Sequence, residues 1–232
     1  MKRITIPLAV MVVLFLSSSF LSADFSAEDE RKLEPFYGIG ISVHADVYYT
    51  PGNEHEVRIE GNEKDVRDLI TEVRDGFLKI KYENYRIKRS KVTIYVTSKE
   101  LEEVKNSGSS NFKAEQAISS EEMKLSMSGS GGISFSALET EEIEVRISGS
   151  GNVSINKGKA EEMDLRISGS GKLSAESFQV EELDAAISGS GGCKITVSEE
   201  LDAKISGSGK IYYRGDPQVN SVSSGSGKVI SL

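Results

Sequence analysis

The chain has 232 residues, with 36 acidic against 28 basic side chains, 22 glycines, one cysteine and no tryptophan. A chain of this length can bury a core as one elongated domain or two small ones. Its net charge of −8 argues against nucleic-acid phosphates or an anionic membrane as partners, and the lone Cys193 forbids an internal disulfide or a thiolate metal cluster.

The first segment reads as a targeting signal. Lys2 and Arg3 precede an apolar run from Ile4 to Leu16, and Ser17, Ser18, Ser19 and Ala23 supply small residues near a cleavage point. Residues 1–23 are therefore expected to be a secretory signal peptide. The run falls short of the ~20 residues of a spanning helix, which favours cleavage over a retained anchor and leaves no stable transmembrane segment. Losing Lys2 and Arg3 would take the charge from −8 to −10. Residues 24–35 read as a linker.

Residues 36–100 read as a β-rich capping unit. Ile39, Ile41 and Val43 alternate, and Val47 to Tyr49 lead into the turn Thr50-Pro51-Gly52-Asn53. Val57 and Ile59 mark another strand. Asn62 is suited to cap a short helix over about Glu63 to Val73, with Val66, Leu69, Ile70 and Val73 on one face. Phe77 to Tyr82 and Val92 to Val96 are two further strands, with a polar, basic loop between them. This unit is expected to cover one open end of the repeats that follow.

Residues 101–232 repeat. Ser-Gly-Ser-Gly starts at Ser128, Ser148, Ser168, Ser188, Ser206 and Ser224, at spacings of 20, 20, 20, 18 and 18. A Glu-Glu pair begins seven residues before five of these motifs. With the first Ser as position 0, position −5 holds Met123, Ile143, Met163, Leu183 and Leu201, and position −1 holds Met127, Ile147, Ile167, Ile187 and Ile205. Position +5 holds Ile133, Val153, Leu173, Cys193 and Ile211. The even positions are mostly polar, which is the alternation of a half-buried strand.

The same phase carries through the motif. It puts Gly129, Gly131, Gly149, Gly151, Gly169, Gly171, Gly189, Gly191, Gly207 and Gly209 inward at a corner, with the serines outward. The length difference between coils falls between position +7 and the next Glu-Glu pair, in a return turn of five residues or three. Stacked coils each depend on their neighbours. The expected fold is all-β: a single-stranded parallel β-helix or β-solenoid with 18–20-residue coils and a β-rich N-terminal capping unit containing one short helix.

The serial Ile-Ser-Gly-Ser-Gly motifs, the stretch Leu201 to Gly209 followed by Tyr213 to Pro217, the lead-in Asp46 to Gly52 and the stretch Val92 to Leu101 together resemble the head GIN domain family of auto-transporter adhesins. The resemblance covers about residues 36–232. It implies a secreted or envelope-associated β-helix-like fold and no catalytic motif. Such repeats most often place Asp after the motif's last glycine. Here that position holds Gly132, Asn152, Lys172 or Lys210, which speaks against an acidic cation site at this corner.

Two rows of side chains are candidates for chemistry. Glu141, Glu142, Glu161, Glu162, Glu181 and Glu182 would stack as carboxylate ladders able to attract Ca²⁺. They lack the spacing of a dedicated calcium loop, so the favoured reading is a solvated turn. Ser148, Ser150, Ser168, Ser170, Ser188 and Ser190 would form hydroxyl ladders. These suit a polysaccharide or protein surface, or a corner whose serines bond locally to backbone.

Catalysis finds little support. His44 and His55 lie far from the repeats, the Ser-Gly-Ser-Gly context lacks a nucleophile elbow, and Cys193 sits in an inward column. No catalytic, cofactor or metal residues are assigned. The expected function is a non-enzymatic, exported surface-binding module of the adhesion type in the periplasm, at the cell surface or outside the cell. Its partner would be a surface glycan or protein, and nucleic acid is excluded. The alternatives are a polysaccharide-acting enzyme and a structural protein of the envelope. The sequence does not fix the oligomeric state.

Overall fold

The computed structural model describes residues 26–84 and 86–232; the signal-peptide reading of residues 1–23 falls outside the described residues. The chain opens with β1 (Ser26–Lys32), β2 (Gly38–Ile41), β3 (Ala45–Pro51) and β4 (Glu56–Asn62). Helix α1 (Glu63–Asp68) and strands β5 (Leu69–Arg74), β6 (Phe77–Tyr82) and β7 (Val92–Ser98) follow. The repeat supplies β8 (Glu103–Asn106), β9 (Asn111–Ser119), β10 (Glu122–Gly129), β11 (Gly132–Glu139), β12 (Glu142–Gly149) and β13 (Asn152–Ile155). Then come β14 (Gly158–Gly169), β15 (Lys172–Gly189), β16 (Gly192–Gly207), β17 (Lys210–Arg214), β18 (Gln218–Gly225) and β19 (Lys228–Ser231).

The repeats coil into a parallel β-solenoid. On face 1, the residues before and into the Ser-Gly-Ser-Gly motif stack from coil to coil, so that Ile147, Ile167, Ile187 and Ile205 pair position for position. On face 2, the residues after the motif do the same: Val153, Leu173, Cys193 and Ile211 lie in one row. All eight are at most 2% exposed. Period-2 alternation thus becomes one continuous core, because each inward row meets only other inward rows.

The segment expected to be a return turn is a third face. Leu138, Gly158 and Phe178 stack there, as do Ala160, Val180 and Val197, and Leu138, Phe178, Val180 and Val197 are fully buried. The change to an 18-residue coil is absorbed here by register shifts between β15 and β16. The two principal faces keep their pairing.

The corner glycines divide into two kinds, which corrects the expectation that all face inward. Gly131, Gly151, Gly171, Gly191 and Gly209 are buried. A Cβ on Gly171, Gly191 or Gly209 would lie 2.3–2.5 Å from Cγ2 of Ile147, Ile167 or Ile187 in the preceding coil. Gly129, Gly149, Gly169, Gly189 and Gly207 are turned aside, partly or fully exposed, by φ values of +106° to +129°. L side chains rarely adopt that backbone. A Cβ there would also meet a carbonyl oxygen of the coil below within 2.9 Å. The chain bends at the first glycine and closes on the core at the second.

The N-terminal unit joins the stack out of sequence order. β2 pairs in parallel with both β6 and β8, and β3 with both β7 and β9. β2 and β3 therefore form the second coil, β6 and β7 build the first, and β8 and β9 the third. Beyond the first coil the pairing turns antiparallel: β4 on β7, β1 on β4 and β5 on β6. These strands cover that end of the solenoid, as a protected edge requires.

Two local expectations change. Residues 26–32, inside the presumed linker, form β1, because β4 offers it an unpaired edge. The helix stops at Asp68. Asn62 caps it, accepting from the Lys64 N–H at 3.1 Å, but Leu69–Arg74 turns into β5 and pairs with β6 through a hairpin at Asp75-Gly76, both at positive φ. Asp-Gly is a favoured hairpin turn, and tertiary pairing overrides the helical spacing of the apolar residues.

Candidate functional site

The Glu-Glu row runs along the edge where face 3 meets face 1. Backbone ladders hold it, with the N–H of Glu141 donating to the Glu121 carbonyl at 3.0 Å and that of Glu161 to Glu141 at 2.9 Å. Buried Thr140 anchors the edge, its hydroxyl 3.0 Å from the carbonyls of Glu121 and Glu142. The side chains of Glu141, Glu142, Glu161, Glu162, Glu181 and Glu182 all point to solvent. A groove of 520 Å³ follows Glu121, Glu141, Glu161 and Glu181, the first Glu of four pairs, and includes Lys159. Among the described residues, no three His, Cys, Asp or Glu side chains converge as they would around a metal.

The serine rows occupy the edge between faces 1 and 2. Ser148, Ser150, Ser168, Ser170, Ser188 and Ser190 are exposed. The backbone fixes their spacing, since the N–H groups of Ser170 and Ser190 donate to Gly149 and Gly169 at 2.8 and 2.9 Å. Their hydroxyls form no hydrogen bond with other described residues, which leaves two straight rows of free donors and acceptors.

The flanking charges separate by face. On face 1, Glu144, Asp164, Asp184 and Asp202 form an acidic row beside Arg146, Arg166 and Lys204. The ion pairs run along a strand rather than between coils. Arg146 meets Glu144, and Arg166 meets Asp164 at 2.9 Å. Such exposed pairs add little stability. On face 2 the outward rows are basic or small: Asn152, Lys172, Gly192, Lys210 and Lys228 lie in register, and beside them Ser174, Lys194 and Tyr212. Lys194 holds Glu176 at 2.9 Å, and this hydrogen bond keeps the Glu176 carboxyl below the usual range. Sequence reading gave the inward row of face 2 and named Asn152, Lys172 and Lys210, but it missed the basic character of the outward rows four and six residues after the motif's first Ser.

His55 and Cys193 both pack within the fold, while His44 is exposed on the N-terminal unit. His55 Nδ1 accepts from the Phe36 N–H at 3.3 Å, and its ring packs edge-on against Phe36. Cys193 is 1% exposed, and burial pushes its thiol up, which makes it inert. Arg89 bridges Asp65 at 3.2 Å and Asp68 at 2.8 Å and so ties α1 to the segment before β7.

These features define a parallel β-solenoid that displays its polar groups in rows on flat outer faces. The chain belongs to the head GIN domain family: the family model described as "Putative auto-transporter adhesin, head GIN domain" matches residues 35–217. A crystal structure from Bacteroides fragilis, described as a "putative adhesin", superposes with a TM-score of 0.85 at 22% identity, covering 89% of this chain and 97% of that one. A "putative adhesin" from Parabacteroides merdae gives 0.73 at 25% identity, over 89% and 96%. A "putative lipid binding protein" from Parabacteroides distasonis gives 0.72 at 24%, again over 89% and 96%. These likenesses establish the fold. No curated protein matches the chain.

Proposed function

We propose that the protein is a non-enzymatic, exported surface-binding module of the adhesion type, working at the cell envelope on a glycan or protein surface. The observation that carries this reading is the pair of free serine rows along one straight edge of a rigid stack. Groups repeated at the ~4.8 Å coil spacing suit a partner that is itself extended and repetitive. Binding then gains from many weak contacts at once. Membership of a family described as adhesins supports the same reading, as does a sequence that begins like a secretory signal. The Glu-Glu row keeps the opposite edge solvated in this account, and no cofactor takes part.

The test is retention. Beads coated with the exported chain should hold to glycan- or matrix-coated surfaces under flow, and Ser148→Ala/Ser168→Ala/Ser188→Ala, which removes one row of hydroxyls, should lose much of that retention. Equal retention of bare beads, or steady turnover of a glycan by the soluble chain, overturns the reading. Mass measurement of the exported protein should show loss of residues 1–23; an intact N-terminus on the exported chain refutes cleavage.

A further inference from the structure

Face 2 carries a recess that neither the serine rows nor the Glu-Glu row explains. Lys172, Gly192, Lys210 and Lys228 follow one another in register on four successive coils. Gly192 has no side chain, so a gap opens between Lys172 and Lys210. Those lysines are two coil steps apart, about 10 Å at the usual sheet spacing. In the neighbouring row, Lys194 and Tyr212 form the far wall, and Ser190 and Ser208 form the near one. The recess measures 330 Å³, within the size range of small-ligand sites.

The recess is positive in a protein whose net charge is −8. Among the described residues neither Lys172 nor Lys210 forms an ion pair, and Glu176, which shares an adjoining groove with Lys172, is held by Lys194. Both lysines are exposed, while Tyr212 is half-buried with its ring on the outer face. The acidic rows of the repeat, Glu144 to Asp202 and the Glu-Glu pairs, lie on face 1 and on the Glu-Glu edge, and Glu176 on face 2 is matched by Lys194, so face 2 is the side that an anion would approach.

We infer that this recess binds an anionic polysaccharide through a carboxylated sugar, with the chain running along the solenoid axis. The carboxylate sits in the Gly192 gap between the ammonium groups of Lys172 and Lys210. The apolar face of the sugar ring packs on Tyr212, and Ser190 and Ser208 take up ring hydroxyls. Two coil steps match the length of a disaccharide, so a second carboxylate reaches Lys228. An acidic protein fits less well, because Tyr212 is the one aromatic anchor here and protein interfaces are built on clusters of them. The inference rests on the surface-binding reading and supplies its ligand class.

The probe is polygalacturonate, with its methyl-esterified form as the neutral counterpart, titrated calorimetrically against the full exported chain. Polygalacturonate should bind and the ester should not, with affinity falling as salt rises. The pair Lys172→Ala/Lys210→Ala should lose about tenfold in affinity or more, since each exposed charge contact contributes modestly. Lys172→Arg/Lys210→Arg should retain most of it, and Tyr212→Ala should weaken it. Glu141→Gln/Glu161→Gln should change nothing. Unchanged melting of the lysine variants separates lost binding from lost fold.

Equal binding of the ester, or wild-type affinity in the double Ala variant, overturns the inference, and stronger competition by polyglutamate overturns it in favour of an acidic protein. If coated beads adhere while polygalacturonate neither binds nor competes, the ligand class fails and the adhesion reading stands. If polygalacturonate binds at the recess while beads never adhere, the recess stands and the adhesion reading fails.

Discussion

Gly171→Ala adds one methyl group where the stack has no space. The new Cβ would lie 2.3 Å from Cγ2 of Ile147 and 2.6 Å from the carbonyl oxygen of Gly151. That carbonyl cannot move freely, because it accepts the Lys172 N–H at 3.3 Å. Ile147 is fully buried and has nowhere to go. Overpacking of this kind costs about 1–3 kcal/mol. Gly132→Ala is the control: its Cβ meets nothing closer than 3.4 Å, and restricting the unfolded chain should stabilise by about 0.4–1 kcal/mol. Two chemically identical changes should therefore shift the urea midpoint in opposite directions. Ile147→Ala alone should cost about 2–5 kcal/mol. Because it removes the clashing Cγ2, the double variant should cost less than the sum of the singles by more than about 0.5 kcal/mol. Equal midpoints for Gly171→Ala and Gly132→Ala, or additive singles, would refute the packing argument.

Other outcomes follow from the same geometry. Ile167→Asp places an unpaired charge in the core and should prevent folding, while Ser168→Thr, one residue on at the exposed edge, should melt like wild type; similar melts for both would reverse the assignment of inside and outside. Gly169→Ala must hold a φ of +111° against the Gly149 carbonyl, and should lower the melting temperature more than Gly132→Ala raises it. The Tyr82 phenol has no hydrogen-bond partner among the described residues, and burial, with the charge of Asp65 adding, pushes it up to about 12. Its ordinary value is 10, so the unfolded chain ionises first, and the wild type loses stability as pH rises from 10 to 12. Tyr82→Phe should match the wild type at pH 8 and gain on it above pH 10; a constant difference in urea midpoint across that range would contradict the burial argument.

The inward rows were legible because they combine two periods, one of two residues and one of 18 or 20. A single isoleucine such as Ile167 could occupy many folds. Four of them at coil spacing, each flanked by polar residues, fit only a stack. The third face escaped because its rows mix residue types, with Leu138, Gly158 and Phe178 ten residues after the motif's first Ser, and because the 18-residue coil moves Val197 out of the offset that Ala160 and Val180 share. The helix was half legible: Asn62 marked its start, but Val66, Leu69, Ile70 and Val73 suit a helix face and a strand alike, and the Asp75-Gly76 hairpin decided between them. The interleaving of β2 and β3 between later strands is a tertiary fact with no local trace. The serine and glutamate rows stood out as repeated pairs. The lysine row did not, because Asn152, Lys172, Gly192 and Lys210 share an environment rather than a residue type, and their separation from the acids appears only when the faces are folded apart.

Disulfide trapping tests the stacking itself. Ser148 and Ser168 pair directly on adjacent coils, so their Cα atoms should lie ~4.8 Å apart, inside the span a disulfide accepts. Ser148→Cys/Ser168→Cys, in a Cys193→Ala background, should close an internal disulfide under mild oxidation and resist reduction. Ser148→Cys/Arg166→Cys, displaced by two residues along the strand, should remain reduced. Equal crosslinking of both pairs, or none in the first, would show that residues twenty apart do not lie above one another.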